Sequence, residues 1–142
     1  MKFKAIVPGK KLTIDALQIR AINLNHVVET VGYMIEWEGK AVMFLGDTGP
    51  TKAAWRIAQK TKGLRAIFVE TSLPDSMKDV AEITGHLTPF SLQAELKKLK
   101  VEKPNIYLHH IKLSYHEIIC KEVAAIKNRK IQIIEDGQII RI

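Results

Sequence analysis

Six residues of this 142-residue chain have types and positions that could do chemistry. His26 follows an alternating segment over residues 17–24, and Asp47 lies just past the apolar run 41–45, inside Gly46-Asp47-Thr48-Gly49-Pro50. Glu70 ends the expected buried strand 64–69, His86 sits in Thr84-Gly85-His86-Leu87-Thr88, and His109 and His110 follow the run 106–108. Imidazoles with a carboxylate, and no cysteine beside them, suit zinc or another first-row divalent metal. A carboxylate such as Asp47 can bridge two metals, and a site of that kind generates hydroxide at neutral pH and clamps a phosphoryl oxygen. Gly46 and Gly49 flank Asp47 and let the backbone approach a ligand closely. Each residue alone has a plainer reading: a turn aspartate, a hydrogen-bonded structural histidine, a surface acid. Their shared placement, at strand ends or a helix entrance, argues for one joint site. His116, at the start of a polar helix, reads as a surface residue.

The elements that must position these residues follow from the hydrophobic pattern. Residues 2–7 and 11–24 alternate apolar and polar positions, as half-buried strands do. Residues 31–37 and 41–45 read as a strand pair turning at Glu38-Gly39-Lys40, the second arm apolar throughout and so buried on both faces. A helix is expected over 51–62, entered through Gly49-Pro50 and closed by Gly63, then a buried strand over 64–69 and a helix near 75–83. Thr88 as N-cap and Pro89 at the first helical position open a helix with Leu92, Leu96 and Leu99 on one stripe. A short strand at 106–108, a helix over 117–128 and a closing hairpin of 131–134 with 138–142 complete the chain. Strands first, then alternating strand and helix, describe an α/β layered domain. In such domains the strand ends converge on one sheet edge, where ligands bind.

Composition sets the outer bounds. The length suits a single unit spanning 1–142, with 46% apolar and 26% charged residues excluding a disordered chain. The one cysteine, Cys120, excludes an internal disulfide framework and a four-thiolate zinc site. No apolar run approaches a membrane span and no signal-peptide core follows Met1, so the expected setting is soluble and cytoplasmic. The net charge of +7 is scattered along the chain; it reads as a solvated basic surface that attracts a phosphate-bearing small molecule, with a dedicated nucleic-acid partner not expected.

The strings Asn25-His26-Val27-Val28-Glu29-Thr30-Val31-Gly32-Tyr33, Gly46-Asp47-Thr48-Gly49-Pro50, Glu70-Thr71-Ser72-Leu73-Pro74, Gly85-His86-Leu87-Thr88-Pro89 and His110-Ile111-Lys112 come in this order. The series resembles the class II cyclic-nucleotide phosphodiesterases of the metallo-β-lactamase fold, and more distantly ribonuclease Z, from about residue 12 to 115. The resemblance implies an α/β layered sheet-and-helix fold corresponding to the C-terminal half of that fold. It implies that His26 binds one of two metals, most simply zinc, that Asp47 bridges both and that His110 binds the second. His86 would donate a proton to the leaving ribose oxygen, with Glu70 orienting it, while water activated by the metals attacks phosphorus. His109, next to a ligand on a strand, would point to the opposite face and be structural.

The chain also departs from that family. Val27 and Leu113 stand where the phosphodiesterases usually carry threonine and proline, and no H-x-H-x-D-H string, the family's first metal motif, is present. What remains gives each metal two protein ligands, short of the three that catalytic zinc usually takes. The expectation is therefore weak metal binding and little turnover by this chain alone. A second copy or a partner chain is expected to cover an apolar sheet face that the family's other half would occupy. The alternatives are a non-catalytic oligomerising domain and ribonuclease Z-like processing of RNA.

Overall fold

The computed structural model describes residues 5–100, 104–126 and 130–142. Among them, seven strands form one sheet in the order of the chain: β1 (Lys11–Ile14), β2 (Leu17–Asn23), β3 (Val31–Trp37), β4 (Lys40–Phe44), β5 (Leu64–Glu70), β6 (Asn105–His109) and β7 (Ile131–Ile133). The first four pair antiparallel, and β4 to β7 pair parallel. Hairpins explain the first half, and helical crossovers the second. The helices are α1 (Ala53–Lys60), α2 (Lys78–Thr84), α3 (Pro89–Leu96) and α4 (His116–Ala124). Because β2 is antiparallel to β3, and β3 to β4, the C-terminal ends of β2, β4, β5 and β6 all reach the same sheet edge.

Alternation along the central strands divides the apolar residues between two faces. Met43, Ile67, Val69, Ile106 and Leu108 face a core closed by Trp55 and Ala58 of α1, Leu92 and Leu96 of α3 with Leu99 beyond it, and Ile119 and Val123 of α4. Val42, Ala66, Phe68 and Tyr107 face the other way, packed by Ile35, Trp37, Ile134 and Ile140. Phe44 stacks on Phe68 at a centroid distance of 4.2 Å yet stays 39% exposed. The second face is therefore apolar but partly shielded by the residues after β7, less open than the sequence suggested.

The helix starting at Thr88 forms with its cap: the Thr88 hydroxyl accepts from Ser91 N–H, the Ser91 hydroxyl accepts from Thr88 N–H, and Pro89 follows. The β3–β4 turn uses Glu38 and Gly39 at φ 42° and 73°, the left-handed pair of a tight hairpin. Four expectations need correction. Residues 5–7 form no strand, and residues 1–4 lie outside the described residues. The run 11–24 breaks into β1 and β2 at Asp15, which takes φ 49°. The helix expected near 75–83 starts as a short 3-10 turn at Asp75–Met77 before α2. The closing hairpin does not form: β7 pairs parallel with β6, Ile134 N–H donates to Leu108 C=O at 3.0 Å, and residues 138–142 carry no strand. Ile140 packs, partly buried, on the second face, so the residues after β7 cover the sheet instead of extending it as a last strand.

Candidate functional site

The edge where β2, β4, β5 and β6 end carries the sequence-identified residues. Its centre is Glu70, the last residue of β5 and fully buried. One carboxylate oxygen accepts Thr48 N–H at 3.1 Å and contacts His86 Nδ1 at 2.6 Å. The other accepts Ser72 N–H at 3.0 Å, the Ser72 hydroxyl at 2.8 Å and Leu87 N–H at 3.4 Å. A buried carboxylate needs such partners. Here they come from three segments, so Glu70 ties the loop after β4 and the α2–α3 connection to the end of β5. Because an ionised carboxylate only accepts, Nδ1 of His86 carries the proton and Nε2 is left for chemistry.

His26 is set by a similar device. Its Nδ1 donates to Gly85 C=O at 3.0 Å, leaving Nε2 available. Gly85 ends α2 at φ +70°, and a Cβ there would lie 2.9 Å from His26 Cα and 3.1 Å from its Nδ1. Only glycine meets both demands. Asn25 clamps the Asp47 loop from the same side: its C=O accepts Gly49 N–H at 2.7 Å, and its Nδ2 donates to Pro50 C=O at 3.0 Å.

Asp47 Oδ1 lies 2.6 Å from His110 Nδ1, both side chains part-exposed. His110 adopts φ +58°, a left-handed conformation rare outside glycine. The His86 ring centroid is 4.9 Å from that of His26 and 5.7 Å from that of His110. His26, Asp47 and His86 each offer a ligand atom within 4.8 Å of the other two. The nitrogen and oxygen donors of this set fit a divalent cation such as zinc, with His110 held against the same aspartate. The structure thus brings together His26, Asp47, Glu70, His86 and His110. It places His86, the residue assigned to proton transfer, among the potential ligands as well.

His109 is elsewhere. Its Nε2 meets Leu45 C=O at 2.9 Å, and burial pushes its pKa below the usual histidine value, the hydrogen bond to Leu45 opposing. It staples β6 to the end of β4 and is not among the grouped ligands. Sequence reasoning missed Glu95, a buried acid inside α3. One of its oxygens accepts Thr51 N–H at 2.9 Å and Trp55 Nε1–H at 2.6 Å, and the other pairs with Lys98. It anchors the loop that carries Asp47 to the helix layer. A charged residue between Leu92 and Leu96 on the core-facing stripe was the only available signal.

This mixed sheet with flanking helices, its polar residues gathered at one strand edge, matches structures of the metallo-β-lactamase fold over most of the chain. The metallo-beta-lactamase fold protein YhfI from Bacillus subtilis superposes with a TM-score of 0.80 at 16% identity, over 96% of this chain and 53% of that one. Zinc-bound PqqB from Methylobacterium extorquens gives 0.74 at 18% identity, over 98% and 55%. The short form of human tRNase Z gives 0.67 at 19% identity, over 92% and 45%. Residues 2–111 match the family described as Beta-lactamase superfamily domain, and the chain belongs to that family. Among curated proteins it resembles ribonuclease BN of Salmonella typhimurium, 28% identical over 124 residues, which is 87% of this chain and 36% of the relative. The chain therefore spans about a third of its curated relatives and about half of its structural neighbours. No helix among the described residues is long and apolar enough to cross a membrane.

Proposed function

We propose that this edge is a metal-dependent phosphodiester hydrolase site whose substrate carries a ribose leaving oxygen. The observation that carries the reading is the Glu70–His86 contact of 2.6 Å beside the His26–Asp47–His86 donor group. His26, Asp47 and His110 would hold divalent metal, most simply zinc. Bound there, the metal supplies an activated water and neutralises charge on the phosphoryl oxygens. Glu70 fixes the His86 ring through Nδ1, so that a proton on Nε2 faces the metal donors and can pass to the departing oxygen. Gly85 and Asn25 hold His26 and the Asp47 loop in register with that proton.

Two substrates share this chemistry. The Gly-Asp-Thr-Gly-Pro and Gly-His-Leu-Thr-Pro strings support a cyclic nucleotide such as cyclic AMP. The ribonuclease relatives support RNA. The sequence contains no H-x-H-x-D-H string, and we place the remaining ligands on another polypeptide segment, with little turnover expected from this chain by itself.

The test is hydrolysis of cyclic AMP and of a 3′-extended RNA hairpin by the zinc-loaded chain, with and without a co-expressed segment bearing H-x-H-x-D-H. The reading expects cleavage of one substrate in the supplemented arm. It also expects His86→Ala to lower turnover by about 10²–10⁴-fold while lowering bound zinc far less. Equal loss of zinc and turnover would remove the proton-donor role and leave His86 a ligand. No phosphodiester cleavage in the supplemented, zinc-bound protein would overturn the reading.

A further inference from the structure

A second polar feature lies outside the site, on the outer side of α1. Lys52, Arg56 and Lys60 are all exposed and stand four residues apart, so they share one stripe while Ala54, Trp55 and Ala58 face the core. With Gln59 and Lys98 they line a groove of about 430 Å³. Lys98 reaches it from beyond α3, its ammonium held by Glu95 and by Thr51 C=O at 3.3 Å, while Gln59 donates to Lys98 C=O at 2.6 Å. Glu95 is buried beneath, its oxygens taken by Thr51, Trp55 and Lys98. None of the groove's lining residues is an acid, and among the described residues Lys52, Arg56 and Lys60 form no ion pair.

Helix stability explains only the last member of this stripe, Lys60, whose place in the final turn suits the helix dipole. Lys52 occupies the N-cap without a side-chain cap bond, and no acid lies in the first turn. A cation at that end opposes the helix dipole. Like charges four apart on a helix also repel each other. Three exposed cations without ion-pair partners among the described residues, over a preformed concavity, fit a ligand that brings regularly spaced negative charge. From Lys52 to Lys60 the helix rises about 12 Å, so the three cations stand about 6 Å apart along its axis and can each meet one phosphate of an extended strand. Arg56 at the centre adds planar bidentate capacity for phosphate oxygens. The outward residues of α1 supply no large apolar side chain for a lipid surface, since Trp55 is buried.

We infer that the α1 groove binds the phosphate backbone of a single-stranded nucleic acid, independently of sequence and of hydrolysis. α1 follows directly on the loop that carries Asp47, so a strand held there is guided past the edge described above. The inference concerns affinity alone and holds for a chain that cleaves nothing.

The test is fluorescence anisotropy of a labelled 12-nucleotide oligouridine with the full chain in EDTA, over a series of salt concentrations. Three phosphate contacts, one per cation, predict a log–log salt slope of about −2. Arg56→Gln with Lys60→Gln should weaken binding and flatten the slope by about 1.4, whereas Lys10→Gln with Lys121→Gln, the same charge change elsewhere, should leave both nearly unaltered. Arg56→Lys should retain the slope. Thermal melts of the groove variants should stay close to the parent's, because both side chains are exposed and such surface substitutions change stability little. Equal effects of the two double variants would reduce the binding to net charge and overturn the inference. So would absence of binding by the parent, or tighter binding of a poly-glutamate peptide than of the oligonucleotide.

Discussion

Replacing Glu70 by glutamine keeps the shape of the site's centre and removes its charge. The carboxylate faces donors only: Thr48 N–H and His86 Nδ1 at one oxygen, Ser72 N–H, the Ser72 hydroxyl and Leu87 N–H at the other. The glutamine NH₂ must therefore point at donors wherever it lies. Placed at the second position it strands two backbone N–H groups. Placed at the first it strands one, Thr48 N–H, if His86 moves its proton from Nδ1 to Nε2 so that Nδ1 accepts. The second arrangement is cheaper. One buried unsatisfied N–H costs about 1–3 kcal/mol, and the weakening of charge-assisted bonds adds about 1, giving roughly 2–4 kcal/mol in total. Urea unfolding followed through the buried Trp55 measures the loss, and ¹⁵N NMR of the imidazoles reads the tautomer. A loss below about 0.5 kcal/mol with the His86 proton still on Nδ1 would refute the view that Glu70 holds His86 and the Asp47 loop together.

Further outcomes follow from the same geometry. Gly85→Ala forces a left-handed alanine, costing about 1–2 kcal/mol, and its Cβ displaces His26; zinc affinity should fall along with the melting temperature. A variant that melts lower but keeps the parent's zinc affinity would break that link. Glu95→Ala orphans Thr51 N–H and Trp55 Nε1–H and should cost roughly 2–4 kcal/mol by chemical denaturation, with most of the loss recovered in Glu95→Gln. For His109 the folded pKa lies below 6.5 because of burial. The unfolded chain therefore binds the proton first, and stability is full above about pH 6.5 and falls as pH drops through the folded value. Denaturant midpoints measured at pH 7.5 and 5 should show that fall in the parent and a smaller one in His109→Gln.

Much of the site was legible in sequence because parallel strands end where their apolar runs end. Asp47, Glu70, His109 and His110 each lie at or just past the end of a mainly apolar strand segment, and the sheet order brings those ends to one edge. The His26 placement was equally legible, through the even number of antiparallel turns between β2 and β4. What distinguishes His109 from His110 follows from strand alternation, and the left-handed turn at His110 completes the separation. The role of Glu95 was not legible, since a single acid within a helix normally faces water and only the tertiary packing of α1 against α3 buries it. The missing last strand was equally hidden: residues 138–142 have strand-like composition, but Ile140 packs across the sheet instead of pairing along it. Nor could spacing alone show that the His86 ring lies close enough to His26 and Asp47 to join them around one cation.

Crystals of the protein soaked in zinc and measured on both sides of the zinc absorption edge test the central claim directly. The account predicts an anomalous peak bonded to Asp47 and His26 at the edge where β2, β4 and β5 end, lost in Asp47→Ala. Zinc found only at other positions, or no peak at that edge under saturating zinc, would contradict it.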